Sequence, residues 1–461
     1  MNSDYRYVEP SWAGWAGVAV TDITPPVGIY ARNWGAAQHD VASGVHQPLQ
    51  LAALVLRPSQ RGPARVLLTA DLGWWRETSD EWFVRGGLLF AHGLSPDSVV
   101  MALSHTHAGP TISRAAAANR PGGDRVPAYI ERLRDLAIST VRTAMAAAKP
   151  CTITWGSGAC DLACNRDLPD PAANRMVCGF HPGVAADNTL LVGRITGSNG
   201  TTMATLVNYA CHPTTLAAEN QLISPDFVGA MRHLVERHTG GAPCLFLQGA
   251  SGELAPRRQY CSEPAVAESG GRQLGFAVLS ALEGMLPART GLEFDRVQES
   301  GAPLALWRET PTQPSSTLVC RKVMVRLALN ASSDPPEPTD DDPSAVAAAR
   351  ERRERRALVR QSVGDGDAYS CPLWVWRVGD AALVAQPNEA YSALQQSLRR
   401  RFPRLAIMVV NVANGHIGYL PPKEAWAGNL YQAWQTPYAP GCLEAVTEAA
   451  GDTIEELFPV S

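Results

Sequence analysis

Short runs rich in Val, Leu, Ile and Ala occupy residues 50–56, 64–70, 98–103, 152–155, 190–195, 203–209 and 244–247. Between them lie stretches with helical spacing of apolar residues, at 80–92, 127–148, 225–238 and 262–285. Buried strands that alternate with helices can bury both faces only by stacking in layers, so the pattern constrains the chain to an α/β domain. The same rhythm resumes near the C-terminus. A strand pair at 373–378 and 381–385 leads into a helix expected from about Asn388, and a further strand at 405–412 ends at Asn414. Residues 331–343 (ASSDPPEPTDDDP) interrupt it. That stretch is acidic, Pro-rich and nearly without apolar side chains, so it reads as a linker or disordered loop within one domain spanning 1–461. A charged helix over 344–363 follows.

Charge narrows the range of partners. The net charge of −4 leaves no cationic surplus for phosphates, which excludes nucleic acid as a partner. The one dense basic run, Arg350 to Arg356, interleaves with glutamates and reads as a solvated helix face. The N-terminus has no basic segment followed by an apolar one, so it is not read as a secretory signal. No apolar run approaches the ~18–20 residues needed to cross a bilayer, and no stable membrane association is expected. Ten scattered cysteines, among them Cys211, Cys244 and Cys371 in apolar surroundings, read as reduced thiols and point to the cytoplasm. Cys160 and Cys164 have the spacing of half a zinc site, but no matching second pair follows.

Three motifs follow apolar runs directly, at strand ends where ligands gather in α/β sheets. The first is Ser104-His105-Thr106-His107-Ala108-Gly109-Pro110. Histidines at i and i+2 there can face one cleft, and imidazole is a common zinc ligand; the alternative is a pair of polar loop residues. The second is Asn208-Tyr209-Ala210-Cys211-His212-Pro213-Thr214, whose lone His212 is either a ligand or a satisfied structural group. The third, Gln248-Gly249-Ala250-Ser251-Gly252-Glu253-Leu254-Ala255-Pro256, is a Gly-rich turn suited to close backbone approach to a substrate or oxyanion. Its spacing is not that of a G-x-S-x-G nucleophile elbow.

Taken with Asp22-Ile23-Thr24-Pro25-Pro26, Asn165-Arg166 and Asn414-Gly415-His416-Ile417-Gly418-Tyr419, these motifs occur in an order that resembles the neutral/alkaline ceramidase family over nearly the whole chain. The resemblance implies an α/β catalytic domain of mixed β-sheets flanked by helices. It further implies a catalytic Zn2+ held by His105, His212, Glu389 and Tyr419, with His107 and Arg166 at the scissile group. From the residues alone, Glu389 reads as an acid in the first turn of a helix and Tyr419 as a packing aromatic, and only the resemblance promotes them; Arg166 has an ordinary alternative as a partner of Asp167 or Asp170. The family's Gly-Asp-x-Ser-Pro pattern is here Gly252-Glu253-Leu254-Ala255-Pro256, so the family's serine is replaced by Ala255 and a serine nucleophile at that position is excluded. His416 stands where the family usually has Tyr; it reads as a partner behind the ligands, a proton carrier or a solvated loop residue.

The implied chemistry is metal-assisted hydrolysis of a linear amide, in which zinc lowers the pKa of its water from ~15.7 towards ~7. His107, or after it His416, would serve as proton donor to the leaving amine. The family's C-terminal immunoglobulin-like module finds no counterpart before Ser461, so a soluble small-molecule amide is expected rather than a bilayer lipid. An ester or lactone substrate, or a catalytically silent binding role, are the alternatives.

Overall fold

The protein is described from a computed structural model that covers residues 5–330 and 343–459; the acidic stretch 331–342 lies outside the described residues. The first half runs β1 (Ser11–Asp22), β2 (Gln50–Arg57), β3 (Arg65–Ala70), α1 (Thr78–His92), β4 (Val99–Leu103), α2 (Val126–Ala146), β5 (Lys149–Ala159), β6 (Thr189–Gly197), β7 (Thr202–Tyr209), α3 (Phe227–His238), β8 (Cys244–Gln248) and α4 (Pro264–Glu283). A hairpin of Thr290–Glu299 and Pro303–Pro311 leads to the second half. There β9 (Leu318–Ala328), α5 (Pro343–Val363), β10 (Ala368–Val378), β11 (Ala381–Ala385), β12 (Glu389–Ala390), α6 (Ala393–Arg401), β13 (Ala406–Val410), β14 (Tyr419–Leu420) and α7 (Cys442–Leu457) complete the order.

Eight strands form one sheet in the order β8-β7-β6-β5-β1-β2-β3-β4, parallel at β7–β8 and β3–β4 and antiparallel elsewhere. A second sheet has the order β9-β10-β11-β13, with β11 and β13 parallel. Alternate residues of each strand point to opposite faces. Leu54, Ile153, Leu206 and Leu247 of the large sheet therefore meet Trp374, Trp376, Leu383 and Val410 of the small one in a shared core. Leu51, Ala53 and Val55 face the other way, against Val84 and Leu88 of α1 and Ile130 and Leu133 of α2. Helices α3 and α4 cover the far half of the large sheet through Phe227, Met231, Leu274 and Val278. Helices α6 and α7 cover the small sheet through Leu394, Leu398, Val446 and Ile454. The result is four layers, helix–sheet–sheet–helix. Burial on both faces explains why these strands read as continuous apolar runs.

Polar side chains tie the layers at the seam between the sheets. The indoles of Trp374 and Trp376 donate to the carbonyls of Pro96 and Asp97, each at 2.9 Å. Asn208 Nδ2 donates to Leu247 in the large sheet (3.1 Å) and Val409 in the small one (2.9 Å). Asn414 accepts from the Met101 amide (2.8 Å) and donates to the Val99 carbonyl (2.9 Å).

Three departures from the sequence expectation matter. The central strand β1 and the 290–311 hairpin are not marked by apolar runs. Helix α6 starts at Ala393 rather than near Asn388. In its place Glu389 and Ala390 form a short parallel pair with Tyr419 and Leu420, so Glu389 is not a helix first-turn acid.

Candidate metal centre and active site

Histidines 105 and 212 leave the C-terminal ends of β4 and β7, while Glu389 and Tyr419 follow β11 and β13 of the other sheet. Chain order scatters them, and the stacking of the sheets brings them together. His105 is fully buried and adopts φ +68°, the left-handed region that costs a side-chain-bearing residue of order 1 kcal/mol. Its Nδ1 faces the Gly73 carbonyl at 3.1 Å. His212 Nδ1 faces the carbonyls of Ser251 (2.7 Å) and Leu254 (3.1 Å). A ring nitrogen beside a carbonyl carries a proton, so in the neutral imidazole, the form that binds a metal, Nε2 is left as a lone pair.

Both lone pairs converge on one carboxylate. Glu389 Oε2 is 2.9 Å from His212 Nε2 and 3.3 Å from His105 Nε2, and the latter nitrogen makes no hydrogen bond. The other carboxylate oxygen, Oε1, lies 2.8 Å from His416 Nε2. Burial and the Arg166 charge push His212 down to about 4, so its imidazole is neutral. Among the described residues, His105, His212 and Glu389 are the one group of three or more His, Cys, Asp or Glu whose ligand atoms cluster, all within 4.8 Å of one another. Cys160 and Cys164 belong to no such group.

Arg166 is buried beside this cluster. Its Nη2 donates to Gly252 O (2.7 Å) and to the Tyr419 hydroxyl (3.2 Å) and lies 3.5 Å from His212 Nε2. Asp170 pairs instead with Arg175 at 3.1 Å, and Asp167 accepts from the Tyr391 hydroxyl and Gln432. Tyr419 sits beside Glu389; burial and that carboxylate push its phenol well above the ordinary value, against the pull of Arg166. His107 is held between the rings of Trp34 (5.0 Å) and Trp74 (4.9 Å), with neither ring nitrogen hydrogen-bonded. Burial, then His105 and His212, keep it neutral.

The Gly-rich turn presents carbonyls rather than N–H groups. Ser251 O fixes His212 and Gly252 O fixes Arg166. A Cβ on Gly252 would lie 2.9 Å from Glu389 O and closer still to the Tyr391 ring, so only glycine fits. Ser251 Oγ accepts from Gln248 Nε2 at 2.6 Å, within the turn, and Ala255 is buried in a short strand paired with Cys164. Gly415 and His416 lie on the loop between β13 and β14 that carries Tyr419.

A small chamber of about 60 Å3 and a larger cavity of about 530 Å3 adjoin the cluster and share His107, Tyr419, Tyr431 and Arg355 in their walls. Among the wall residues that the sequence did not single out are Trp34, Trp74, Arg76, Arg352, Arg355 and Tyr431. Trp74 and Arg76 follow β3 just as the His105 motif follows β4, and that placement was the available signal. Helix α5 roofs the cavity with Ala348, Glu351, Arg352 and Arg355. The basic run is therefore only half solvated: Arg353 and Glu354 are exposed, whereas Arg352 and Arg355 face inward. Among the described residues no helix is long and apolar enough to cross a membrane.

Comparison with known proteins identifies the family and the fold. The sequence profile of the neutral/alkaline non-lysosomal ceramidase N-terminal region matches residues 15–258. Neutral ceramidase of Pseudomonas aeruginosa is 22% identical over 96% of this chain and 72% of its own length. Neutral ceramidase of Mycobacterium tuberculosis is 28% identical over 46% of this chain and 36% of its own. A solved ceramidase complexed with C2 superposes with a TM-score of 0.71 at 17% identity, covering 98% of this chain and 76% of that one. The crystal structure of the Pseudomonas aeruginosa enzyme gives 0.68 at 18% identity, with the same coverage. The chain belongs to the neutral/alkaline non-lysosomal ceramidase family and is a hydrolase of that fold.

Proposed function

We propose that the protein is a zinc-dependent amidohydrolase that cleaves the linear N-acyl bond of a small soluble molecule. The observation that carries the proposal is the convergence of two Nε2 lone pairs on Glu389, with both Nδ1 atoms committed to backbone carbonyls. Two imidazole acceptors facing a carboxylate have no proton to share, and a divalent cation resolves that conflict. Two ligands of one zinc ion lie roughly 3–3.4 Å apart, given bonds of about 2.0–2.2 Å, and the 2.9 and 3.3 Å separations suit that spacing. Two imidazoles and a carboxylate are also a common catalytic zinc donor set. Tyr419 would be the fourth protein ligand.

Zinc held there would polarise the substrate carbonyl and lower the pKa of a water in contact with it towards ~7. The chain's own residues do the rest. Arg166, pinned by Gly252 O, presents a fixed cation to the oxyanion that develops when the carbonyl is attacked, a placement that needs no reorganisation during reaction. His107 is free to donate a hydrogen bond to that oxygen or to carry a proton to the leaving amine. His416 orients Glu389 from behind and is the second route for the proton. Trp34 and Trp74 restrict water around His107. The cavity volume of about 530 Å3 suits a drug-sized molecule.

Elemental analysis of the purified protein tests the ligand set. One zinc per chain is expected, falling to background in His105→Ala and in His212→Ala; full occupancy in both variants would overturn the assignment. A panel of short acyl amides and the matching esters tests the bond. Turnover of esters alone would move the reading to an esterase.

A further inference from the structure

The two chambers together carry more positive charge than the chemistry at the cluster uses. Apart from Glu389, the two chambers are lined by four arginines (76, 166, 352 and 355) against Glu219 and Glu351 among the described residues. Arg166 is accounted for by the reacting carbonyl, and Glu219 is exposed at the rim. Glu351 pairs with Arg355 along α5. Arg76 donates to Arg32 O (3.0 Å) and Asn33 Oδ1 (3.1 Å), both neutral acceptors. The Nε atoms of Arg352 and Arg355 are buried without a hydrogen-bond partner.

The arginines are also held in place. Arg76 and Arg355 lie over the Trp74 ring at 5.4 and 5.8 Å from its centre, and Arg355 Nη2 donates to Asn33 O at 2.8 Å. Trp74 in turn contacts His105, His107 and His416 with ring centres 5.6, 4.9 and 6.2 Å away. Stacking fixes the plane of a guanidinium and leaves its N–H edge for an oxyanion. Burial and the neighbouring Arg355 charge push Arg76 down to about 10, whereas Glu351 offsets the charge on Arg355, so Arg76 is the cation left without a counter-charge. Like charges gathered in a partly buried site raise the free energy of the protein unless an anion offsets them.

We propose that Arg76, Arg352 and Arg355 form an anion subsite beside the metal centre, and that the substrate carries a carboxylate or phosphate on the fragment lying under helix α5. This rests on the hydrolase reading for its position but not for its binding chemistry. The ligand class is an acylated amine that bears an anionic group, such as an N-acyl amino acid.

Calorimetric titration with N-hexanoylglycine, N-hexanoyl-O-phosphoethanolamine and the neutral N-hexanoylglycinamide tests it. A charge-assisted contact is stronger than a neutral one, so at least one anion should bind about tenfold or more tighter than the neutral amide. Whichever anion leads identifies the group. Arg352→Gln removes a cation whose Nε has no partner and should weaken only the anions, by about tenfold, while circular dichroism reports an unchanged fold. The titrations are repeated after chelation. Equal binding of all three compounds, equal weakening by Arg352→Gln, or a preference that disappears on chelation would each overturn the subsite, the last by assigning the anion to the metal. A preference that persists while no amide is hydrolysed would instead keep the subsite and sink the amidase reading.

Discussion

The two sheets contribute to the centre in different ways. The large sheet supplies His105 and His212, whose Nδ1 atoms are fixed by the main-chain carbonyls of Gly73, Ser251 and Leu254. The small sheet supplies Glu389, whose carboxylate is positioned by imidazoles, including His416 of its own half. One half is aligned by backbone and the other by side chains. The histidine positions are therefore properties of the fold, whereas the carboxylate depends on its partners and should be the easier of the two to displace.

Four experiments test this contrast. Glu389→Gln keeps the shape and removes the charge that unites the halves; hydrolysis should fall by about a thousandfold or more, the worth of several kcal/mol of charge stabilisation. If the variant keeps wild-type kcat/KM, the carboxylate is not the link. The next largest effect concerns Glu253, in the turn after β8, which accepts from the amide and hydroxyl of Ser392 in the small-sheet half. Burial raises its pKa to about 7, above an ordinary carboxylate. A raised acid pKa adds stability that is complete below the unfolded value near ~4.5 and lost as pH rises through 7. Urea unfolding should thus show the wild type losing up to about 3 kcal/mol between those pH values, and Glu253→Gln should flatten that slope.

His416→Ala comes third. Removing an outer partner of a ligand typically costs ~10–100-fold in metal affinity, and competition with a chelator measures it; an unchanged affinity would show that Glu389 needs no support from its own side. Asn208→Ala is the mildest. It leaves the Val409 carbonyl at the seam without its donor and should cost about 1–2 kcal/mol, read as a lower urea midpoint at an unchanged m-value.

How much of this was legible in the sequence follows from the same contrast. The histidine motifs stand directly after doubly buried strands, so local hydrophobicity announces both the strand and its end. The α/β class follows for the same reason. Glu389 is hidden because its short pairing with Tyr419 joins residues far apart in sequence, and no periodicity encodes that register. Only the resemblance to the family promoted it. Strand β1 is concealed by composition: in SWAGWAGVAVTD, Gly17 lets the Ala144 carbonyl of α2 approach within 1.9 Å of where a Cβ would sit, which trades hydrophobicity for close packing. The inward-facing arginines of α5 looked like an ordinary charged helix because their spacing, three apart, also describes a solvated stripe.

Helix α5 belongs to neither sheet, yet it forms the ceiling of the cavity through a few side chains on one stripe. On the proposed reading, reaction chemistry and substrate choice are housed in separable parts of the chain. Exchanges at positions 348, 352 and 355 can retune what is admitted without moving the strand ends that hold the histidines. A lineage with this architecture can explore new substrates by editing its ceiling while its floor stays fixed.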